Sequence, residues 1–237
     1  KVKAFGTIIA GIAHEIKNPL TTISASASII EAKGNNPDFR KAFSEHIPQE
    51  VERINRLIRN LIDYAKPSRS EKVPVSITET VRVVYGLSVP LLKGYRIHCE
   101  LPSNDLLYVI GDCDKLKQAL MNIVLNAIES IKKRECFDGS KGMIRITAAL
   151  DEENVKVTIF DEGAGMDTEL LRRCTEAFYT TKIGGTGIGL SLAQQYIGDA
   201  NGNIDIDSQV NGYTRITIHL PHERETENLH EETHSDY

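Results

Sequence analysis

Two long helical stripes of apolar residues near the start of the chain restrict its fold more than any other feature. The first stripe advances in steps of three and four residues, as one face of an α-helix does. Its members are Ile9, Ile12, Ile16, Leu20, Ile23, Ala27 and Ile30. The second stripe has the same spacing and comprises Phe39, Phe43, Ile47, Val51, Ile54, Ile58, Leu61 and Ala65. Because the turn signal KGNNP, residues 33–37, separates them, the stripes predict a helical hairpin.

This hairpin, expected over residues 1–68, cannot cover its own apolar surface. Two helices shield each other along one line only, while both stripes continue over the full length of the helices. Pairing of two hairpins into a four-helix bundle would cover both stripes. The sequence therefore predicts a homodimer.

A second domain is expected after a linker. The segment KPSRSEKVPVS, residues 66–76, combines prolines, serines and charge, and we expect a linker over residues 69–75. Alternating helix and strand patterns then predict an α/β sandwich over residues 76–221, with one sheet and helices on one of its faces. The polar, acidic tail over residues 222–237 is expected to be disordered.

The expected elements of this second domain follow from pattern and turn signals. Helices are predicted over residues 77–93, 114–134 and 187–198. Strands are predicted over residues 96–101, 106–111, 143–150, 155–160, 203–208 and 213–220. The Gly-rich stretch over residues 161–185 is expected to be irregular.

Composition limits the partners and the compartment. The 237-residue chain has a net charge of -5 and lacks a basic surface signature, so we expect neither nucleic-acid binding nor membrane contact within this fragment. Its four cysteines are far apart and form no zinc-site spacing, which favours a reduced, cytoplasmic location. The missing initial Met fits a piece of a longer protein, in which membrane segments are an open question.

The segment AHEIKNPL, residues 13–20, places polar chemistry on the first helix. His14 lies on the side of the helix away from the apolar stripe, and Asn18 follows one turn later on the same face. Glu15 is adjacent and is able to orient or deprotonate an imidazole nitrogen. Pro19 lacks the N–H that would bond the Glu15 carbonyl, so the helix is expected to bend or loosen beside His14.

Two further clusters lie in the second domain. In NIVLNAIES, residues 122–130, Asn122 and Asn126 share a helix face; their amide oxygens suit Mg²⁺ and their amide nitrogens suit phosphate. In FDEGAGM, residues 160–166, Asp161 follows a strand and provides a carboxylate acceptor. Gly163 and Gly165 let the backbone approach a flat ligand closely.

A fourth cluster, KIGGTGIGLSLA, spans residues 182–193. Its glycines lead directly into a helix and direct backbone N–H groups and the positive helix end toward an anion. A Walker P-loop would need GK followed by Ser or Thr, and a dinucleotide fingerprint would need a preceding strand and GxGxxG spacing. Neither pattern is present.

In this order the clusters closely resemble the motifs of a two-component sensor histidine kinase core. Such a core joins a HisKA dimerisation and phosphoacceptor domain to a GHKL (Bergerat) ATP-binding domain. AHEIKNPL resembles the phosphoacceptor box, NIVLNAIES the N box, DEGAGM the first glycine box, EAFYTTK the F box and GTGIGLSL the second glycine box. The resemblance extends from about Phe5 to Pro221 and is closest to sporulation-type kinases of spore-forming bacteria.

The resemblance implies a phosphoryl relay that starts at His14. His14 would attack the γ-phosphate of ATP, with Glu15 as general base or orienting group. The phosphoryl group would then pass to an aspartate in the receiver domain of a response regulator. Asn18 matches the residue that positions water for dephosphorylation of that partner. A protein inhibitor that docks on the bundle is a further implied partner.

The resemblance also implies the ATP site. Asp161 would accept a hydrogen bond from the adenine amino group, Asn126 would hold Mg²⁺, and residues 178–185 would act as a mobile lid. The implied ATP-binding residues are Asn122, Asn126, Asp161, Gly163, Gly165, Thr180, Thr181, Lys182, Gly185, Thr186, Gly187, Ile188, Gly189, Leu190 and Thr214.

Two departures and two alternatives accompany this interpretation. Ala177 replaces the usual Pro of the F box. Glu129 stands where many relatives have Lys or Arg, so the phosphate charge must be met by Lys182 or elsewhere. A GHKL ATPase of the chaperone, gyrase or mismatch-repair kind would have a water-activating Glu at the position of Asn122. A degenerate kinase that acts as a dimeric scaffold would be expected to have lost ATP ligands.

Overall fold

The computed structural model describes residues 16–65, 71–92, 94–102, 107–139, 141–182 and 185–223. The chain divides into two compact units. We call residues 1–68 with 174–188 the hairpin unit, and residues 69–173 with 189–237 the sheet unit. Within the described ranges, no helix has both the length and the apolarity needed to cross a membrane.

The hairpin unit contains the two expected helices. Residues 16–28 are helical and form α1, the short helix α2 spans Ile30–Lys33, and α3 spans Pro37–Ala65. The Asn36 side chain accepts hydrogen bonds from the backbone N–H groups of Asp38 (2.9 Å) and Phe39 (3.2 Å) at the start of α3. Pro37 occupies the first helical position, where its missing N–H is tolerated. The predicted turn between the helices is confirmed.

Helix α1 continues through Pro19, which is buried. Two hydroxyl groups bond carbonyls on this turn: Thr21 donates to the Lys17 carbonyl at 2.8 Å and Thr22 to the Asn18 carbonyl at 3.3 Å. The helix shows no break over residues 16–28. Glu15, where loosening is predicted, lies outside the described residues.

The sheet unit contains a five-stranded mixed sheet and a separate pair of strands. The strands are β1 (Val73–Ser76), β2 (Arg96–Glu100), β3 (Tyr108–Gly111), β4 (Met143–Asp151), β5 (Asn154–Asp161), β6 (Asn203–Gln209) and β7 (Tyr213–Pro221). The large sheet has the order β2-β4-β5-β7-β6, with β2 parallel to β4 and the other pairs antiparallel. Strand β5, which ends at Asp161, is therefore the central strand.

The expectation of a single sheet was wrong. Strand β1 takes residues 73–76, most of which were expected to be linker, and pairs antiparallel with β3. The pairing buries Val75, so an alternating Val-Pro-Val segment is stabilised by tertiary contact despite its proline. Residues 66–70 and 224–237, which cover the rest of the predicted linker and most of the predicted tail, lie outside the described residues.

Four α-helices accompany the sheet in the described part of this unit. They are α4 (Ile77–Ser88), α5 (Cys113–Asp138), α6 (Thr168–Arg173) and α7 (Gly189–Asp199), and a 3-10 turn over Val89–Leu92 follows α4. Helix α4 is shorter than predicted because Pro90 cannot continue it. Helix α6 was missed within the stretch predicted to be irregular. It buries none of its residues, so it has no apolar period to detect.

The core lies on one face of the large sheet. Alternate residues of β4, β5 and β7 are buried, and α5 packs against β4, β5 and α7. The inward-facing apolar residues are Ile144, Ile146, Ala148, Val155, Val157, Ile159, Ile216, Ile218 and Leu220. The predicted arrangement of helices on one face of the sheet is confirmed.

Candidate active site

Asp161 occupies the end of the central strand and is 4% exposed. Its carboxylate accepts a hydrogen bond from the backbone N–H of Gly163 at 3.0 Å. Thr214 of β7 is its direct cross-strand partner and is 7% exposed. A carboxylate in such a position is a fixed hydrogen-bond acceptor, because burial and the bond from Gly163 limit its movement.

The two glycines after Asp161 are required by close contacts. A Cβ on Gly163 would lie 2.0 Å from the Ser130 hydroxyl of α5 and 2.4 Å from a carboxylate oxygen of Asp161. Gly165 has a φ of +64°, and a Cβ there would lie 1.9 Å from the Gln209 carbonyl oxygen. The loop is therefore pressed against α5 on one side and the end of β6 on the other, and any side chain would displace it.

Ser208 fixes the hydrogen bonding around Thr214. Its hydroxyl donates to the Tyr213 carbonyl at 2.8 Å and accepts from the backbone N–H of Met166 at 2.9 Å. The Ser208 and Thr214 hydroxyl oxygens lie 3.1 Å apart. Because a serine has one hydroxyl proton, Thr214 is the donor in this pair. Its remaining lone pairs leave the Thr214 oxygen an acceptor.

Tyr213, beside Thr214, is directed to the other face of the sheet. Its hydroxyl donates to Asp207 at 2.9 Å, and its ring stacks on Phe160. The hydrogen bond to Asp207 raises the pKa of the phenol, with desolvation as a smaller cause. Tyr213 therefore stays protonated at neutral pH and is not part of the buried Asp161 cluster.

Helix α5 carries the two predicted asparagines and joins two parts of the site. Asn122 donates from its amide nitrogen to the carbonyl of Gly189, the first residue of α7, at 3.2 Å. A Cβ added to Gly189 would lie 3.8 Å from the Asn122 side chain, and Leu190 follows Gly189 in the first turn of α7. The predicted N box and the start of the helix after the glycine loop are thus neighbours.

Asn126 is half-buried one turn after Asn122. Mg²⁺ in nucleotide sites commonly takes only one or two protein oxygens, and phosphates and water complete the octahedron. A single amide oxygen at Asn126 fits that requirement. Within the described ranges, no group of three or more His, Cys, Asp or Glu side chains is arranged to hold a metal ion.

The remaining predicted phosphate-binding residues belong to the hairpin unit, over residues 174–188. The backbone N–H of Lys182 bonds the Thr180 hydroxyl at 3.1 Å, and the N–H of Gly185 bonds the Lys182 carbonyl at 3.1 Å. The side chains of Thr181 and Lys182 are exposed. Both bonds are local to the predicted lid segment, and the Lys182 side chain lies on its exposed surface.

The ends of this segment are held together by one backbone bond. The N–H of Phe178 donates to the Gly187 carbonyl at 2.9 Å, and both residues have positive φ, +68° for Phe178 and +61° for Gly187. Near the end of the segment, the N–H of Ile188 bonds the Thr186 hydroxyl at 3.4 Å. A positive φ at a bulky residue is strained, which is a common property of functional segments.

The predicted phosphoacceptor box is only partly described. His14 and Glu15 lie outside the described residues. Asn18 is exposed on α1, as expected for a residue that contacts a partner or water. Leu20, expected in the bundle seam, is also exposed in the single chain.

Three residues of the site were missed by the sequence analysis: Ser130, Arg134 and Ser208. The Ser130 carbonyl accepts from the N–H of Ala164 at 3.1 Å, and the Arg134 guanidinium donates to the carbonyls of Glu162 (3.2 Å) and Gly212 (3.0 Å). A signal for two of them was available. Ser130 and Arg134 continue the spacing of four that begins at Asn122 and Asn126.

Comparison with family models identifies both predicted modules. Residues 6–69 match the "His Kinase A (phospho-acceptor) domain". Residues 111–224 match the "Histidine kinase-, DNA gyrase B-, and HSP90-like ATPase" family. The chain belongs to the histidine kinase family. It therefore contains an ATP-binding domain of the GHKL type, and the predicted fold class is confirmed.

Individual kinases are similar over almost the whole chain. Sporulation kinase A of Bacillus subtilis (strain 168) is 34% identical over 226 residues, which cover 93% of this chain and 35% of that kinase. The chain spans half or less of the length of the curated relatives compared.

Solved structures of the histidine kinase ThkA share the fold. Its catalytic domain is 30% identical, with a TM-score of 0.55 over 64% of this chain and 96% of that chain. A longer ThkA structure, solved in complex with the response regulator protein TrrA, is 27% identical with a TM-score of 0.77, covering 94% of this chain and 63% of that chain.

Proposed function

We propose that this histidine kinase chain uses ATP to phosphorylate His14 and then passes the phosphoryl group to an aspartate of a response regulator. The observation that carries the proposal is the buried pair of Asp161 and Thr214 at the end of the central strand, beside two glycines that exclude side chains. This acceptor cluster lies in an ATPase-family domain of a chain that also matches a phosphoacceptor domain.

The acceptor cluster suits the adenine base. The Asp161 carboxylate accepts a hydrogen bond from the exocyclic amino group, and the Thr214 oxygen offers a second acceptor nearby. Gly163 and Gly165 keep the loop free of Cβ atoms, so that the flat base lies close to the backbone. A guanine base has a carbonyl oxygen in place of the amino group, and the cluster would reject it because two acceptors would then face each other.

The phosphate end is proposed to combine amides, one cation and Mg²⁺. Asn126 would hold the metal, and Asn122 would lie near the phosphates. Mg²⁺ supplies charge neutralisation on the phosphate oxygens. The N–H groups of Gly185, Gly187 and Gly189 and the Lys182 ammonium group would bind the phosphate chain, with Thr180, Thr181 and Thr186 as further donors.

In the transfer step, a neutral ring nitrogen of His14 attacks the γ-phosphorus and the bond to the β,γ-bridging oxygen breaks. ADP leaves, and the proton on the other ring nitrogen is passed to Glu15 or bonded by it. The receiver aspartate then attacks the same phosphorus, and His14 is restored. The need for ATP and a receiver domain favours a cytoplasmic location.

We further propose that the chain acts as a homodimer joined through its hairpins. Leu20, Val51, Ile58 and Ile62 are large apolar residues of the hairpin that a single chain leaves exposed. Their removal from water in a four-helix bundle would be favourable. The outer surface of the same bundle is where a regulator, or a protein inhibitor, would dock.

Radiolabel transfer tests the activity. Purified protein incubated with γ-labelled ATP and Mg²⁺ should acquire label that is labile to acid and stable to alkali, as expected for a phosphorylated imidazole. His14→Gln should abolish the label. His46→Gln is the matched control, because His46 is an exposed histidine on α3, and it should keep full labelling. Label that persists in His14→Gln would refute the assignment.

Calorimetry tests the adenine role of Asp161. Asp161→Asn replaces one acceptor oxygen by an amide and should abolish measurable ATP binding without unfolding the protein. Asp167→Asn, an exposed position at the start of α6, should bind ATP normally because an amide oxygen still caps that helix. Equal ATP affinity in Asp161→Asn and the unmodified protein would exclude the role.

A finer proposal concerns Asn18, whose exposed position on α1 would let it orient water for dephosphorylation of the regulator. Asn18→Ala should keep autophosphorylation and slow the loss of phosphate from the regulator. Both activities are measured with the same labelled protein. A parallel decrease in both would mean that Asn18 only supports the helix.

A further inference from the structure

Arg134 connects three parts of the sheet unit. It lies one turn before the C-terminal end of α5, is half-buried, and donates from Nη1 to the Glu162 carbonyl at 3.2 Å and to the Gly212 carbonyl at 3.0 Å. One guanidinium nitrogen therefore bridges the loop after β5 and the turn between β6 and β7. A planar guanidinium holds such a pair of acceptors in a fixed geometry.

Both bonded carbonyls are next to the proposed adenine site. Glu162 directly follows Asp161, and Gly212 precedes Thr214 by two residues. Asp161 and Thr214 face each other across β5 and β7. The two Arg134 hydrogen bonds thus fix the backbone on both sides of the Asp161 and Thr214 pair. One bond lies just after the end of β5, and the other just before the start of β7.

Backbone bonds complete this connection. The N–H of Ala164 donates to the Ser130 carbonyl at 3.1 Å, and the N–H of Asn211 donates to the Ala164 carbonyl at 2.7 Å. Ser130 and Arg134 follow Asn122 and Asn126 at intervals of four along α5. Residues spaced by four along α5 therefore contact the site from its proposed phosphate end to its adenine end.

We infer that Arg134 is a positioning residue for adenine: its guanidinium holds the Asp161 loop and the β6–β7 turn against α5, so that the Asp161 and Thr214 acceptors keep their spacing. The inference deepens the proposed function and rests on it. A binding group that moves by a fraction of an ångström loses selectivity before it loses all affinity. Arg134 therefore determines how strongly the site prefers an amino group to a carbonyl on the purine.

The test compares two nucleotides in three variants. Inosine triphosphate carries a carbonyl oxygen where ATP has its amino group, so it has no donor at that position for Asp161. Arg134→Met keeps much of the aliphatic stem and removes the donors. Arg134→Lys keeps the charge but replaces the planar fork by a single ammonium group. Lys133→Met is the matched control, since Lys133 is an exposed cation on the adjacent position of α5.

Affinities for ATP and inosine triphosphate are measured by calorimetry at a temperature where each variant is fully folded. Arg134→Met should weaken ATP binding about tenfold, the scale of one charge-assisted hydrogen bond, and should weaken inosine triphosphate binding much less. The ratio of the two affinities should therefore fall. Arg134→Lys should give an intermediate ratio, and Lys133→Met should match the unmodified protein.

A lower melting temperature with an unchanged affinity ratio in Arg134→Met would overturn the inference, because it would show a purely structural contact. If Arg134→Met does not fold, an unchanged ratio in Arg134→Lys has the same meaning. Asp161→Asn in the same assay separates the two proposals. An unchanged ATP affinity there refutes the adenine site itself, whereas loss of ATP binding there together with an unchanged affinity ratio in the Arg134 variants refutes only the role of Arg134.

Discussion

The hairpin and the sheet unit differ in how far their large apolar side chains are buried. In the hairpin, large apolar side chains remain in water: Leu20 is 48% exposed, Val51 45%, Ile58 40% and Ile62 50%. In the sheet unit, the apolar faces of β4, β5 and β7 are covered by helices of the same chain. The sheet unit completes its own core, whereas we propose that the hairpin completes its core with a second molecule.

The difference in burial distinguishes stability that comes from contacts within one chain from stability that comes from association of two chains. Burial of apolar surface contributes about 25 cal/mol per Å², so the sheet unit obtains its stability from contacts within one chain. In the proposed dimer the hairpin gains stability on association, so its stability should depend on protein concentration. Substitutions in one region should leave the other largely unaffected, because each region belongs to a separate compact unit.

The largest effect is expected from a charge in the hairpin stripe. Ile58→Asp should raise the dimer dissociation constant at least about 1000-fold, since the two-fold symmetric interface would contain two desolvated carboxylates. Sedimentation velocity measures the shift from dimer to monomer. ATP affinity should change by less than about twofold, because Ile58 is not one of the proposed ATP ligands.

The control for this substitution places the same side chain on an exposed polar position of α3. Asn55→Asp should leave the dimer intact, because the Asn55 side chain is already exposed and polar. If Ile58→Asp remains dimeric, the exposed stripe is not the interface, and the contrast between the two regions no longer holds.

The next largest effect is expected in the core of the sheet unit. Ile131 is fully buried on α5, so Ile131→Ala should lower the free energy of unfolding of this unit by about 4 kcal/mol. Leu150→Ala, at an exposed position on β4, should cost less than about 1 kcal/mol. Denaturant unfolding followed by circular dichroism measures both. A decrease in dimer affinity in Ile131→Ala would show that the two regions are coupled.

The hairpin and most strands were predictable because their signals are local and periodic. The KGNNP turn and the sustained stripes define α1 and α3, and the alternation in β5 and β7 defines buried strands. Strand β1 was not predictable, because its short Val-Pro-Val segment is stabilised only by pairing with β3, more than 30 residues later. Helix α6 was missed because it buries no residue.

The candidate site also combines residues with a local sequence signal and residues whose contacts are distant in sequence. Asn122 lies on a helix, Asp161 at the end of a strand and Gly189 at the start of a helix, and each of these elements has a local sequence signal. The role of Arg134 depends on two carbonyls that are 28 and 78 residues away in sequence, and no local pattern encodes that distance. The roles of all the predicted site residues, from His14 to Thr214, remain predictions.

A smaller effect is expected from Gly165. Gly165→Ala introduces a side chain at a φ of +64°, with its Cβ only 1.9 Å from the Gln209 carbonyl oxygen. Strain and overpacking together should lower the free energy of unfolding of the sheet unit by about 2–3 kcal/mol. ATP affinity should also fall, because the loop that carries the substitution follows Asp161. Unchanged unfolding and unchanged ATP affinity would show that this loop is not held as tightly as its contacts indicate.

The smallest effect has the opposite sign and comes from another glycine. Gly86 is an exposed residue of α4, and a Cβ added to it would meet no other atom within 4 Å. Gly86→Ala should therefore stabilise the sheet unit by about 0.5–1 kcal/mol, because alanine loses less backbone entropy in a helix. Thermal unfolding should shift upward by a few degrees, with the sedimentation profile and ATP affinity unchanged. A stabilisation that also tightens the dimer would mean that the sheet unit contributes to association, and the hairpin would then not be the sole source of the dimer.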